Sequence, residues 1–192
     1  MIKTKMTTMY NISFKNQKII FQNKWMKLKE KGVKIGSKSL KYYVVERPDY
    51  VAVAPIFQNK ILLITQMRHG ADKIIKNIPM GILQKGEKLK KAAQWELEEE
   101  TGIKIKEADL KHLGSFYIAP SFTPIKGHLF MVNCRNLSFK NRFPDEEGHE
   151  FMEIKWYSMD SLPNTNELDL TSQLAIAKVR QILTKEGEVF DK

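Results

Sequence analysis

The chain has 192 residues, 42% of them apolar and 28% charged, with a formal net charge of +10. That is length enough for one full core plus an appendage. Its single cysteine, Cys134, excludes an internal disulfide framework and a thiolate zinc site, and no apolar run approaches the roughly 18 residues that span a bilayer. The basic balance favours anionic partners without choosing among nucleotides, RNA and acidic surfaces.

Seven lysines (Lys3, Lys5, Lys15, Lys18, Lys24, Lys27, Lys29) precede the first acid, Glu30, and they alternate with Ile12, Phe14, Ile19, Ile20, Phe21 and Trp25. This pattern reads as strand rather than tail. Short strands are expected at "NISFKNQKIIF", "WMKLKEKGV" and "LKYYVVE", forming a small β unit over residues 1–47, with Gly32 and Gly36 at a turn. Residues 48–192 form the main domain. It opens with two apolar strands, "VAVAPIF" and "KILLITQM", joined as a hairpin through Gln58 and Asn59. A loop containing Pro79 and Gly81 follows. A helix is then expected from about Lys88 to Thr101, with Gly102 as a left-handed cap. Further strands are expected at "HLGSFYIA", "GHLFMVNC" and "EFMEIKWYS". A last helix begins near Thr171, carries Leu174, Ala177, Ile182 and Leu183 on one face, and ends at Gly187. The fold class is mixed α/β.

Four glutamates, Glu96, Glu98, Glu99 and Glu100, crowd five positions of that first helix. At 100° per residue from Leu89, Ala92, Ala93 and Leu97 fall at about 300°, 40° and 80°, which marks a core-facing stripe. Glu96 and Glu100, at about 340° and 20°, lie inside it, Glu99 flanks it at about 280°, and Glu98 faces water at about 180°. Carboxylates directed inward must be protonated, paired or bound to a metal. Lys88, Lys90 and Lys91 lie on other faces. A divalent cation relieves both the burial and the mutual repulsion, and an all-oxygen donor set indicates a hard ion such as Mg²⁺.

The stretch Gly81 to Ile103 resembles the Nudix box: G, five residues, E, seven residues, then R-E-U-x-E-E-x-G-U with U aliphatic. Gly81, Glu87, Glu96, Leu97, Glu99, Glu100, Gly102 and Ile103 match, and Trp95 replaces the arginine. An arginine there, four residues before Glu99, could bond to it; Trp95 has one neutral N–H. Beyond the box, "VVERPDYVAVAPIFQNKILLITQMRHG", "IPMG" and "NKWMKLKE" are similar to the ADP-ribose and nucleoside-diphosphate-sugar pyrophosphatase branch. Ser121 and Ile125 stand where that branch often has glycine and glutamate.

The resemblance implies a Nudix fold, a mixed sheet between helices, with the N-terminal β unit as an exchanged dimerisation element. It implies Mg²⁺, replaceable by Mn²⁺, held by Glu96, Glu99, Glu100 and the carbonyl of Met80. Arg68 would contact a substrate phosphate, with Gly81, Glu87 and Trp25 also on the binding side. Glu99, Glu147 and Glu150 are the candidates to assist catalysis. The expected protein is a cytoplasmic homodimer, without membrane association, that cleaves the diphosphate of ADP-ribose or a nucleoside-diphosphate sugar. Two alternatives stand beside this: a hydrolase of RNA 5′ ends, since the charge admits nucleic acid but a small nucleotide-linked substrate is favoured, and a catalytically weakened nucleotide-binding regulator marked by Trp95. His69, His112, His128 and His149 lack metal-ligand spacing.

Overall fold

The computed structural model describes residues 11–134 and 152–185. Glu147, Glu150, His149 and the helix end expected at Gly187 lie outside them. The chain divides into two compact units: residues 1–48 with 117–126, and residues 49–116 with 127–192.

In the larger unit a seven-stranded sheet has the order β10-β5-β4-β9-β8, with β6 paired to β5 and β7 to β4. The strands are β4 (Tyr50–Phe57), β5 (Lys60–Arg68), β6 (Lys73–Asn77), β7 (Met80–Ile82), β8 (Lys111–Tyr117), β9 (Lys126–Asn133) and β10 (Met152–Ser158). The helices are α1 (Leu89–Thr101) and α2 (Leu170–Lys185). β4 runs parallel to β9 and antiparallel to β5, so the sheet is mixed. The expected hairpin forms, with Gln58 at φ 51 despite the absence of glycine.

β4 and β5 are almost continuously apolar because both their faces are covered. Ala52, Ala54, Ile56, Ile61 and Leu63 pack with Ala175, Ile176, Val179 and Leu183 of α2. Val51, Val53, Leu62 and Ile64 pack with Ala92, Ala93 and Leu97 of α1. The sheet is therefore sandwiched between helices, and each fully buried Leu, Ile or Val contributes roughly 1.5–3 kcal/mol. Two expectations fail: Gly32 lies inside a strand, Lys27–Ile35, paired with Lys41, so that Gly36 alone of the two glycines sits at the turn; and Ala177 is exposed, while Ala175, Ile176 and Val179 take the buried face of α2 with Leu183. Among the described residues no helix is long and apolar enough to cross a membrane.

In the smaller unit β1 (Ile12–Gln22), β2 (Lys27–Ile35) and β3 (Lys38–Glu46) form an antiparallel sheet in that order. Directly paired residues share a face, which sorts the side chains into two sets. One face carries Phe14, Val33 and Leu40 in one row, with Ile19, Val44 and Tyr42 in neighbouring rows. The other carries Lys18, Glu30 and Tyr43 in one row and Phe21, Leu28 and Val45 in the next.

Candidate active site

The segment Asn77–Gly81, which contains the Pro79 and Gly81 expected in a loop, runs from the end of β6 into β7 and is tied down at every residue. Asn77 is fully buried. The Ile78 N–H donates to Ser172 Oγ (2.9 Å), and the Pro79 carbonyl accepts from the Val53 N–H (2.9 Å). The Met80 N–H donates to Glu100 Oε2 at 2.9 Å. Gly81 pairs with Val51 of β4 and lies under Glu96: a Cβ at Gly81 would sit 1.9 Å from Glu96 Oε2 and 2.0 Å from its Cδ. No side chain larger than hydrogen fits there while Glu96 keeps its place.

The helix presenting these acids is held by local chemistry. Ala92, Ala93, Leu97 and Thr101 are buried along its sheet side. The Thr101 hydroxyl donates back to the Leu97 carbonyl, and the Gln94 amide to the Ile105 carbonyl (2.7 Å). Gly102 ends the helix at φ 72, its N–H donating to the Glu98 carbonyl (2.8 Å), the left-handed cap read from the sequence. Glu96 and Glu100 are half-buried as the helical stripe requires, Glu99 is exposed, and Glu98 pairs with Lys104 at 3.2 Å.

Burial, then the neighbouring charges of Glu99 and Glu87, push the Glu96 carboxyl up to about 7. Its two acid neighbours repel it, an arrangement that a cation relieves. Among the described residues no three His, Cys, Asp or Glu side chains are gathered closely enough to hold a metal ion by themselves. The donors present are carboxylates around a cradle that only glycine allows. This suits a hard cation that takes one or two protein carboxylates and completes its shell with phosphate oxygens and water.

Arg68 ends β5, and its guanidinium donates to Asn77 Oδ1 (2.9 Å), which also accepts from Gln66 Nε2 (3.1 Å). Asn77 in turn donates to the Ile78 carbonyl (3.1 Å). Asn77–Gly81 thus holds the guanidinium at one end and both carboxylates at the other. Sequence reading missed Asn77 and Ser172, since an asparagine shortly before a proline looks like ordinary turn punctuation. Glu87 closes its own loop by accepting from the Gln84 N–H (3.0 Å). Trp95 is 52% exposed, with the Lys91 ammonium 4.5 Å from its ring centre. Trp25 belongs to the smaller unit, on the β1–β2 turn, with Lys24 4.7 Å from its ring centre. His112 stacks on Phe130 (4.9 Å), and His128 lies between Ser115 (2.7 Å) and Asp49 (3.5 Å).

Comparison with known proteins accords with this geometry. The NUDIX domain model matches residues 46–177. An ADP-ribose pyrophosphatase from Bacillus subtilis is 34% identical over 137 residues, covering 70% of this chain and 72% of that protein. A methanol dehydrogenase activator from Bacillus methanolicus is 33% identical over 143 residues, covering 73% and 75%. The crystal structure of an ADP compounds hydrolase superposes with a TM-score of 0.77 at 21% identity over 93% of this chain and 97% of that one, which shows a shared fold. The acids over Gly81, the sandwiched mixed sheet and these relatives together establish that the chain belongs to the Nudix family, as a Nudix hydrolase of the ADP-ribose pyrophosphatase-like branch.

Proposed function

We propose that the protein is a Mg²⁺-dependent pyrophosphohydrolase that cleaves the diphosphate of ADP-ribose or a nucleoside-diphosphate sugar into a nucleoside monophosphate and a sugar phosphate. The observation that carries this reading is the Glu96 carboxylate lying against Gly81, with Glu100 anchored to the next amide.

In this reading Glu96, Glu99, Glu100 and the Met80 carbonyl hold the cation. It supplies charge neutralisation for the diphosphate and activation of the attacking water. Arg68, steadied by Asn77, offers a planar and permanently charged fork to a phosphate. The bare backbone at Gly81 leaves room for the Glu96 carboxylate, and Glu87 keeps the box loop closed. The proton of the attacking water passes to a glutamate, for which Glu99, Glu147 and Glu150 are candidates. The phosphorus–oxygen bond to the bridging oxygen then breaks, and Arg68 stabilises charge on the phosphate oxygens.

The reading includes a homodimer formed through the smaller unit, with Trp25 on its binding side. Among the described residues, no apolar side chain between positions 11 and 48 is buried. A three-stranded sheet needs a covered hydrophobic face, and the face of Phe14, Ile19, Leu40 and Tyr42 is the one a second copy would cover.

The test is Mg²⁺-dependent release of AMP or GMP from a panel of ADP-ribose and sugar nucleotides. Wild type is expected to turn over at least one of them, and Glu100→Gln to lose more than about 100-fold in kcat, the scale set by removal of one charge-stabilising contact. Equal rates would remove Glu100 from the mechanism.

A regulatory reading is favoured by two observations: Trp95 replaces the box arginine, and one relative is described as an activator of another enzyme. It requires nucleotide binding without turnover, so the same assay separates the two.

A further inference from the structure

The chain's positive charge is not spread along it. Over residues 11–48 and 117–126, the described part of the smaller unit, there are eleven Lys or Arg against two Glu. Over the described part of the larger unit, residues 49–116, 127–134 and 152–185, there are fifteen against thirteen. A general preference for lysine would raise both alike, so the segregation is a property of the smaller unit. Its two acids are already neutralised: Glu46 bridges Lys29 and Lys31, and Glu30 pairs with Lys41 at 3.1 Å.

The sheet's two faces differ. The Phe14 face, the one assigned above to a second copy, carries Phe14, Ile19, Leu40 and Tyr42 together with Lys27, Lys29, Lys31 and Lys38, and there Glu46 bridges Lys29 and Lys31. On the opposite face Lys18, Lys34 and Lys41 stand in successive rows, all exposed, and Lys15 joins them, its Cβ 3.2 Å from where a Gly32 Cβ would point. Two aromatic rings share this face: Tyr43, 55% exposed, in the row of Lys18, and Phe21, 49% exposed, in the row beyond it. The Tyr43 hydroxyl donates to Glu30 (3.3 Å), which Lys41 also contacts, so the ring is steadied while its surface stays open. A row of lysines alone is a solvated surface. Lysines with exposed rings beside them make a surface that can track a phosphate backbone while bases stack.

We infer that this face of the smaller unit binds a single-stranded nucleic acid, its backbone phosphates on Lys15, Lys18 and Lys34 and its bases on Tyr43 and Phe21. The binding is sequence-tolerant, because stacking and phosphate contacts are available to every base. It uses neither the acids nor Arg68, so it stands or falls independently of the hydrolase reading.

The test uses the full chain and a fluorescein-labelled single-stranded oligonucleotide of about twelve nucleotides, followed by fluorescence anisotropy. Three phosphate contacts predict an affinity loss of about 20-fold between about 50 and about 200 mM salt, from a slope near 0.7 per contact. The double variant Lys18→Glu/Lys34→Glu, both positions being exposed strand residues, is expected to weaken binding more than about tenfold. Tyr43→Ala is expected to weaken it about five- to tenfold or more with the salt slope unchanged, and Tyr43→Phe to retain it. Circular dichroism checks that each variant is folded. Absence of binding at the lower salt overturns the inference, as does equal affinity of either the charge-reversal variant or folded Tyr43→Ala with wild type. Capture by anionic phospholipid vesicles without capture of the oligonucleotide overturns it equally, since it would assign the charge to a lipid surface.

Discussion

In the larger unit the central strands bury every side chain from Val51 to Ile56 and from Ile61 to Gln66, while in the smaller unit three strands of similar or greater length bury none from Ile12 to Glu46. The larger unit is nearly balanced in charge, and the smaller one holds most of the excess. Chemistry follows the same division. A half-buried acid pair can be held against a glycine only where a two-sided core fixes both the strand and the helix. A sheet with both faces open carries its information on its surface, as apolar and cationic side chains awaiting partners. The functions proposed above follow this division, with stability and catalysis assigned to one unit and association to the other.

That contrast can be broken by substitution. Leu63→Ala, deep under α2, is expected to cost about 2–5 kcal/mol of unfolding free energy in a denaturant titration. Asn77→Ala leaves Gln66 and Arg68 without their shared acceptor and is expected to cost about 1–3 kcal/mol, with KM for the nucleotide rising more than kcat falls. Gly81→Ala is expected to displace the flexible Glu96 carboxylate from its place against the turn, so that kcat falls sharply while stability moves by less than about 1 kcal/mol. Phe14→Lys/Leu40→Lys in the smaller sheet is expected to convert a dimer into a monomer in light scattering, while the main unfolding transition of the monomer moves by less than about 1 kcal/mol. Trp95→Arg is expected to move stability by less than about 0.5 kcal/mol. A large destabilisation by the Phe14/Leu40 pair, or a negligible one from Leu63, would contradict the division.

The sequence was informative wherever periodicity and charge conflicted. Glu96 and Glu100 fall on an apolar stripe, and that conflict marks the acid helix and its buried side, while Gly102 by itself marks the cap. The continuous apolar runs of β4 and β5 marked a covered sheet for the same reason. What stayed hidden depends on contacts across the chain. β7 is three residues long, and its strand character comes from pairing with β4 rather than from its own residues. Asn77 supports Arg68 only because β6 returns beside β5, and Ser172 reaches Ile78 from a helix 94 positions later. Ala177 was placed on the wrong side of α2 because an alanine carries too little hydropathy to fix a helix's phase, whereas Val179 and Leu183 fix it.

The most direct measurement is anomalous scattering from crystals soaked with manganese in the presence of a non-hydrolysable nucleoside diphosphate. The account predicts a peak within coordinating distance of the Glu96 or Glu100 carboxylate, beside the Met80–Gly81 turn. A map showing the diphosphate bound but no anomalous density there would contradict it.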